Sequence, residues 1–323
     1  SDRSHFGSRH WLYSAHSLCI PRKGASLLAY IASDQLPLLF GMFSSMIFAS
    51  QKGVPPTPVL AVYMVFFLSA CAVYHLVAQG EFSSILTISV MLQTLSIALL
   101  VLQVVSTGTA SGISVRSLAL DACAFTMRLS STTWLNGYLP VDASGDMVYQ
   151  AMDIISLLLV LGLIHHICMK SRSTYQESED TFPCLPLIAG SIVLAALLHA
   201  DMNDRPIFDT LWMAALFVSV VDVLPQLWLS TQSGGKMEAL TSHYIAVMAL
   251  SRILSGLFMW HARFDITCAF WIEGFNHASL VILIAHGVHM LLLTDFAFIY
   301  IKALLKQGLG CRLDLNESIA HMV

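Results

Sequence analysis

Long apolar stretches follow one another along most of this chain, and they constrain its fold more than any other feature of the sequence. Each one approaches or exceeds the roughly 20 residues that an α-helix needs to cross a bilayer. Only 11% of the residues are charged, against about 25% in soluble domains. The sequence therefore predicts an all-α, polytopic membrane bundle and excludes a soluble globular enzyme. The stretches are Ala25–Ser50, Val59–Ala78, Ile85–Val105, Leu118–Leu135, Val148–Met169, Leu185–Ala200, Ile207–Leu229, Tyr244–Trp260 and Cys268–Leu305.

Signals for catalysis, metals and nucleic acids are missing from the sequence. The net charge of −4 is not that of a nucleic-acid-binding surface. No phosphate-binding loop, nucleophile elbow, HExxH helix or dinucleotide fingerprint occurs. The seven cysteines stand singly, so neither a disulfide framework nor a zinc site is indicated. We expect a non-catalytic protein without a cofactor, surrounded by bound membrane lipids.

Turn-like breaks between the apolar stretches divide the chain into three parts. Residues 1–83 form an N-terminal extension with a polar tail and two apolar helices, residues 84–308 hold seven apolar stretches, and residues 309–323 form a polar C-terminal tail. The first helix contains Asp34, Gln35 and Pro37, which are costly in lipid. We therefore expect that it is not fully exposed to lipid, whether it spans the membrane or not.

Basic residues in the connections predict the orientation of the last seven helices, since cytosolic loops are enriched in Lys and Arg. Successive connections lie on alternate sides of the membrane, and those on one side hold only Arg205 and Arg263. The richer set and the C-terminus are therefore expected on the cytosolic side or its equivalent. Eight spans would also place the basic N-terminal segment there, whereas nine would not. We expect nine helices in total. The richer set holds Arg116, Lys170, Arg172, Lys236, Lys302, Lys306 and Arg312.

Short motifs between residues 84 and 308 follow one another in the order and spacing of one known family. They are Gly112-Ile-Ser114 with a following basic residue and Ser117, Phe125-Thr-x-Arg128, Lys170-x-x-x-Thr174-Tyr175, Asp180-Thr-Phe182, Leu224-Pro-Gln-Leu227, Thr241-Ser-His-Tyr244, Glu273-Gly-Phe275, Asp295-Phe296 and Tyr300-Ile-x-Lys302. Over this range the chain resembles the ER lumen protein-retaining receptors, the KDEL receptor family, which is similar to the PQ-loop and SWEET proteins.

The resemblance implies seven helices, arranged as two three-helix repeats and a linker helix. Repeats of this kind place a binding site near the middle of the membrane, between the halves. In the family, that cavity captures the C-terminal tetrapeptide of escaped ER proteins. Arginines bind the peptide carboxylates, and a histidine makes capture dependent on pH.

Part of that cavity is kept when the positions are matched one by one. Arg128 falls at a ligand arginine, Asp209 and Trp212 fall at an acid and a tryptophan, and Arg252 falls at a later arginine. Arg263 lies next to the position of a further arginine. The peptide-reading and pH-sensing residues are otherwise replaced, which implies a kept fold with a vestigial cavity. The replaced positions are Leu86 and Ala262 for arginines, Gln93 for the histidine, Ser131 for an aspartate, Ser219 for a glutamate and Ser251 for a tyrosine.

The intramembrane charges also have a structural interpretation as ion pairs. Asp121 lies two turns before Arg128 on the same helix face, and we predict that they pair, although an anion site at Arg128 remains an alternative. Asp222 follows the lost glutamate position by three residues, and we predict that it pairs with Arg252. His286 and His289 are interpreted as core or interface histidines rather than metal ligands.

Three functions follow from these observations. The loss of binding residues favours a structural or accessory subunit of a larger membrane complex, with other membrane subunits as partners. The basic N-terminus is compatible with the mitochondrial inner membrane or another organelle. The alternative is a divergent retrieval receptor of the ER and Golgi membranes, whose partner is a C-terminal KDEL- or HDEL-type peptide. A SWEET-like carrier of small solutes is less favoured.

Overall fold

The fold is taken from a computed structural model of the chain. The structure describes residues 57–78, 81–133, 135, 138, 146–202, 204–232, 236–237, 239–268, 275–307 and 313–314. The predicted helix Ala25–Ser50, the N-terminal polar tail and most of the C-terminal tail lie outside these residues.

Helices make up about four fifths of the described chain. Six of its segments are long and apolar enough to cross a membrane, which confirms the predicted all-α membrane bundle. The helices are α1 (Thr57–Ala72, continued by a π-helical turn Val73–Val77), α2 (Ser84–Thr107), α3 (Val115–Thr132), α4 (Asp146–Met169), α5 (Cys184–Leu198), α6 (Pro206–Val221), α7 (Leu224–Gln232), α8 (Ala239–Ala262) and α9 (His277–Gln307). A short antiparallel pair joins β1 (Lys236–Met237) to β2 (Leu313–Asp314).

The ends of the helices follow local sequence signals. The side chain of Ser114 caps α3 by accepting a hydrogen bond from the Ser117 amide at 3.1 Å, as expected of an N-cap serine. α2 ends at Gly108, which has a φ of 67°, a conformation that glycine adopts without strain. α6 starts with Pro206, whose missing N–H costs nothing in the first turn.

Two predicted helices have different bounds in the structure. The predicted helix Ile207–Leu229 is interrupted between α6 and α7, because Pro225 lacks the amide hydrogen that would continue the α-helical ladder. The predicted helix Cys268–Leu305 begins only at His277. Asn276 precedes it as the N-cap, and its Oδ1 accepts a hydrogen bond from the Ser279 amide at 2.9 Å, which favours a helix start at this point.

α2 and α8 pack against each other in the middle of the bundle, and α2 also contacts α1 and α4. Two serines join α2 and α8 reciprocally: Ser89 Oγ donates to the Ser251 carbonyl at 2.9 Å and Ser251 Oγ donates to the Ser89 carbonyl at 2.7 Å. Small hydroxyl residues let helices in membranes approach closely. α3 packs between α4 and α6, which brings Asp121 and most of the Arg128 side chain into the interior, whereas Arg116 stays exposed.

Candidate functional site

Arg128 is held by a carboxylate from a neighbouring helix. Its Nε donates to Asp153 Oδ2 at 2.7 Å and its Nη2 donates to Asp153 Oδ1 at 2.5 Å. The rings of Phe125 and Tyr149 lie 5.5 and 5.6 Å from the guanidinium carbon. This bidentate geometry is the strongest that arginine forms with a carboxylate. A ligand carboxylate therefore has to displace Asp153 before it binds Arg128 in the same way.

The predicted pairing of Asp121 with Arg128 is replaced by this contact. Seven residues along an α-helix correspond to a rise of about 10.5 Å, which is too far for a direct ion pair. Asp153 reaches Arg128 from the side, because α4 packs against α3. Sequence reasoning missed Asp153, although an acid in the middle of an apolar helix is a signal that it has a partner.

Arg252 is the second buried guanidinium, and the structure brings it together with Asp222. Its Nη2 lies 3.4 Å from Asp222 Oδ2, and its Nη1 donates to Gln93 Oε1 at 2.9 Å. The amide of Gln93 in turn donates to Asp153 Oδ1 at 3.3 Å. Gln93 therefore connects the two ion pairs into one network that crosses the bundle, which we call the charge network (Arg128, Asp153, Gln93, Arg252 and Asp222).

The charge network is electrically balanced at its two arginines, since each has an aspartate within ion-pair distance. Removing one partner of a buried pair leaves an uncompensated charge and typically costs about 3–5 kcal/mol. Gln93 occupies the position at which the resemblance implies a histidine, and its amide does not titrate. We infer from the paired charges that the network stabilises helix packing. None of its five members is a histidine.

Asp209 and Trp212 lie near the beginning of α6. Asp209 Oδ1 accepts a hydrogen bond from the Met202 amide at 3.3 Å, while its buried Oδ2 has no hydrogen bond to the described residues. Trp212 is buried, with its ring centroid 6.4 Å from that of Tyr138. An acid and an indole one turn apart form an environment that suits a cationic group.

Hydrogen bonds between α3 and α6 show how the candidate residues are arranged. Ser131 Oγ donates to the Phe208 carbonyl at 3.1 Å, and Ser117 Oγ donates to the Asp222 carbonyl at 2.5 Å. The two helices are therefore antiparallel. Asp209 and Trp212 lie towards the end of α3 that carries Arg128, whereas Asp222 lies towards its other end.

Arg263 is separate from the buried residues. It follows the end of α8, is half-buried, and its guanidinium carbon lies 4.3 Å from the Trp260 ring centroid and 4.2 Å from that of Phe264. It also donates to the Trp260 carbonyl. An arginine stacked on exposed aromatic rings is typical of a membrane interface, so the structure does not place Arg263 with the other predicted cavity residues.

Several motif residues interlock at the opposite end of the bundle. Asp180 accepts hydrogen bonds from Ser114 Oγ at 2.8 Å and from the Tyr175 hydroxyl at 2.7 Å. Gln226 accepts from the Ser114 amide at 2.9 Å and donates to the Gly112 carbonyl at 2.8 Å. Burial and the hydrogen bond to Asp180 raise the pKa of the Tyr175 phenol. These residues join the loops to α7.

The bundle and its buried charges define a polytopic helical membrane protein. A sequence profile described as ER lumen protein retaining receptor matches residues 109–263. The receptor erd-2.2 of Caenorhabditis elegans, an ER lumen protein-retaining receptor, is 29% identical over 222 residues, which are 68% of this chain and 94% of that protein. ER lumen protein-retaining receptor 2 of Homo sapiens is 30% identical over 212 residues, which are 65% of this chain and 90% of that protein.

This chain belongs to the ER lumen protein-retaining receptor family, which confirms the resemblance found in the motifs. The family is named for receptors and not for a catalytic activity. The profile match covers the interlocked loops and four of the five residues of the charge network, whereas Gln93 lies before it.

Proposed function

We propose that this chain is a divergent, non-catalytic receptor that retains or retrieves proteins of the ER lumen, within the ER and Golgi membranes. The supporting observation is that its relatives align over 90–94% of their own length, so the similarity extends beyond isolated motifs. The relatives favour this alternative over the accessory subunit that the lost binding residues favoured, and nothing in them supports a mitochondrial location.

The site supports recognition of a ligand's C-terminal segment through contacts that differ from those implied by the family resemblance. A ligand carboxylate at Arg128 has to compete with Asp153, which already occupies the Nε–Nη2 edge of the guanidinium. Asp209, by contrast, keeps one buried carboxylate oxygen without a hydrogen bond, one turn from Trp212. A basic side chain of the ligand is attracted by that oxygen and by the indole face. We expect the basic residue of a ligand to contribute more to binding than its acidic residues.

Peptide binding to the purified full chain in lipid nanodiscs tests this proposal. Fluorescent peptides that end in KDEL or HDEL are titrated at neutral and mildly acidic pH, beside versions in which the basic residue is replaced by alanine. We expect binding that Asp209→Asn weakens at least tenfold and that Arg263→Gln leaves unchanged. Absence of binding to every such peptide, with no retention of a peptide-tagged lumenal reporter in cells, would refute the proposal.

A structural role in a larger membrane assembly is the second candidate. The observation that favours it is the contact of Arg128 with Asp153, since the edge of the guanidinium that this carboxylate occupies is not available to a ligand. Gentle solubilisation of native membranes and identification of co-purifying proteins distinguishes the two functions. Stoichiometric membrane subunits without lumenal cargo support the structural role, whereas soluble lumenal proteins support the receptor.

A further inference from the structure

Buried polar atoms without a hydrogen-bond partner gather around Arg252. They are both carboxyl oxygens of Asp121, Nε of Arg252, both ring nitrogens of His286 and Nε2 of His289. Within the described part of the chain, Asp209 Oδ2 is the remaining side-chain atom of this kind. Buried polar groups are normally hydrogen-bonded to protein or to ordered water. A concentration of six such atoms around one arginine therefore indicates a site for a small ligand.

Asp121 contributes to this site from α3. It lies one turn after Ser117, whose hydroxyl donates to the Asp222 carbonyl, so Asp121 faces the end of α6. Its charged neighbours are Asp222 and Arg252, with Arg128 further away, and Tyr244 of α8 faces the same group. Asp121 therefore has another carboxyl group beside it and shares one arginine with that group.

The two histidines contribute from α9. A Cβ atom on Gly256, one turn after Arg252, would lie 3.5 Å from the Cβ of His286, so α8 and α9 approach closely here. His289 follows on the same face of α9, and both imidazoles lie close enough to Arg252 to interact with its charge. The residues of the site thus come from α3, α8 and α9, with Asp222 at the end of α6 beside Arg252.

The aspartates around Arg252 and Arg128 outnumber the arginines by one. The charge network together with Asp121 contains two arginines and three aspartates, so full ionisation leaves one negative charge without a cation. Asp121 is 1% exposed and receives no hydrogen bond, and an ionised carboxylate in such a place is strongly disfavoured. Two adjacent carboxyl groups hydrogen-bond to each other only when one of them holds a proton.

We propose that Asp121 binds a proton at neutral pH and that ordered water hydrogen-bonds Arg252, His286 and His289. The proton comes from solvent and neutralises the Asp121 carboxylate, whose new O–H donates to the carboxylate of Asp222. Water accepts from Arg252 Nε and from the protonated ring nitrogen of His286, and it donates to the unprotonated ring nitrogens, as buried waters with two to four polar partners do. An anion is disfavoured there by the aspartates. Among the described residues, no group of three side chains able to hold a metal forms.

Infrared difference spectroscopy of the full chain in nanodiscs detects a protonated carboxylic acid directly. We expect its carbonyl band in the wild type at neutral pH, its loss in Asp121→Asn, and its retention in Glu177→Gln, which changes an exposed carboxylate outside the charge network. Because asparagine resembles a neutral carboxylic acid, Asp121→Asn should keep the melting temperature of the wild type. Asp222→Asn should lower it, since Arg252 loses its counter-ion. A missing band in the wild type, a band that survives Asp121→Asn, or equal destabilisation by both variants would overturn the proposal.

The bound water is tested separately at His286. We expect His286→Gln to melt at a higher temperature than His286→Leu, because glutamine keeps a hydrogen bond to water and leucine does not. If the space is dry, leucine removes an unsatisfied polar group and becomes the more stable variant. A higher melting temperature for His286→Leu than for His286→Gln would refute the bound water. The infrared band would still decide whether Asp121 holds a proton.

Discussion

Asp153→Asn is the substitution that tests the charge network most directly. It removes the counter-ion of Arg128 while keeping nearly the same volume. The lost contacts are two short charge-assisted hydrogen bonds, at 2.7 and 2.5 Å, in a pair whose acid is fully buried. Breaking one partner of such a pair costs about 3–5 kcal/mol. At roughly 2–4 °C per kcal/mol for a chain of this size class, the melting temperature should fall by about 6–20 °C.

Thermal unfolding of the solubilised protein, followed by the fraction that remains monodisperse, measures this effect. Arg172→Gln is the matched control, because Arg172 forms an exposed pair with Glu177 at 3.7 Å, and exposed pairs contribute about 0–1 kcal/mol. The double variant Arg128→Met with Asp153→Leu should recover much of the loss, since it removes both charges. If Asp153→Asn behaves like the control, or the double variant is no better than the single one, the ion pair does not stabilise the bundle as described.

Three further substitutions test other contacts, each by the same unfolding assay. Gln226→Ala should destabilise by about 2–4 kcal/mol, because it leaves one buried amide and one carbonyl of the loop before α3 without partners; a loss under about 1 kcal/mol would contradict this. Tyr175→Phe should lower the free energy of unfolding below pH about 10, because it removes the hydrogen bond from the phenol to Asp180. The wild type should lose this stabilisation as alkali ionises the phenol, whose pKa is raised, so equal dependence of stability on alkaline pH in both proteins would contradict this prediction. Ser251→Ala should cost only about 0.6 kcal/mol for each interhelical hydrogen bond lost, and a much larger loss would indicate a packing role instead.

The positions of the helices were largely predictable, because an apolar stretch of spanning length has few other structures open to it in a membrane. The start of α9 was missed by nine residues, although Asn276 offers a local N-cap signal that apolar length alone does not use. Helix faces were predictable and helix neighbours were not. Asp121 and Arg128 share a face by periodicity, yet the partner of Arg128 comes from α4, whose packing against α3 cannot be read from periodicity.

The pairing of Asp222 with Arg252 was accessible to sequence reasoning for the opposite reason. Charges are so scarce in these helices that an unpaired arginine has few acids within reach. The unpartnered atoms around Arg252 were not predictable, since each depends on how four separate segments meet. Gln93 was recognised as a replaced position, but its role as the link between two ion pairs required the structure.

The hydrogen bonds that join α2 to α8 have a consequence for motion. Three hydrogen bonds connect α2 to α8: two between Ser89 and Ser251, and one between Gln93 and Arg252. Rocking of one half against the other, as an alternating carrier requires, must break all three contacts at once. At about 0.6 kcal/mol for each serine hydrogen bond and about 1.5–3 kcal/mol for the bond to the charged Arg252, these contacts alone would limit the opened conformation to roughly one molecule in a hundred to one in a thousand. These contacts therefore favour the closed arrangement of α2 and α8 over an opened one.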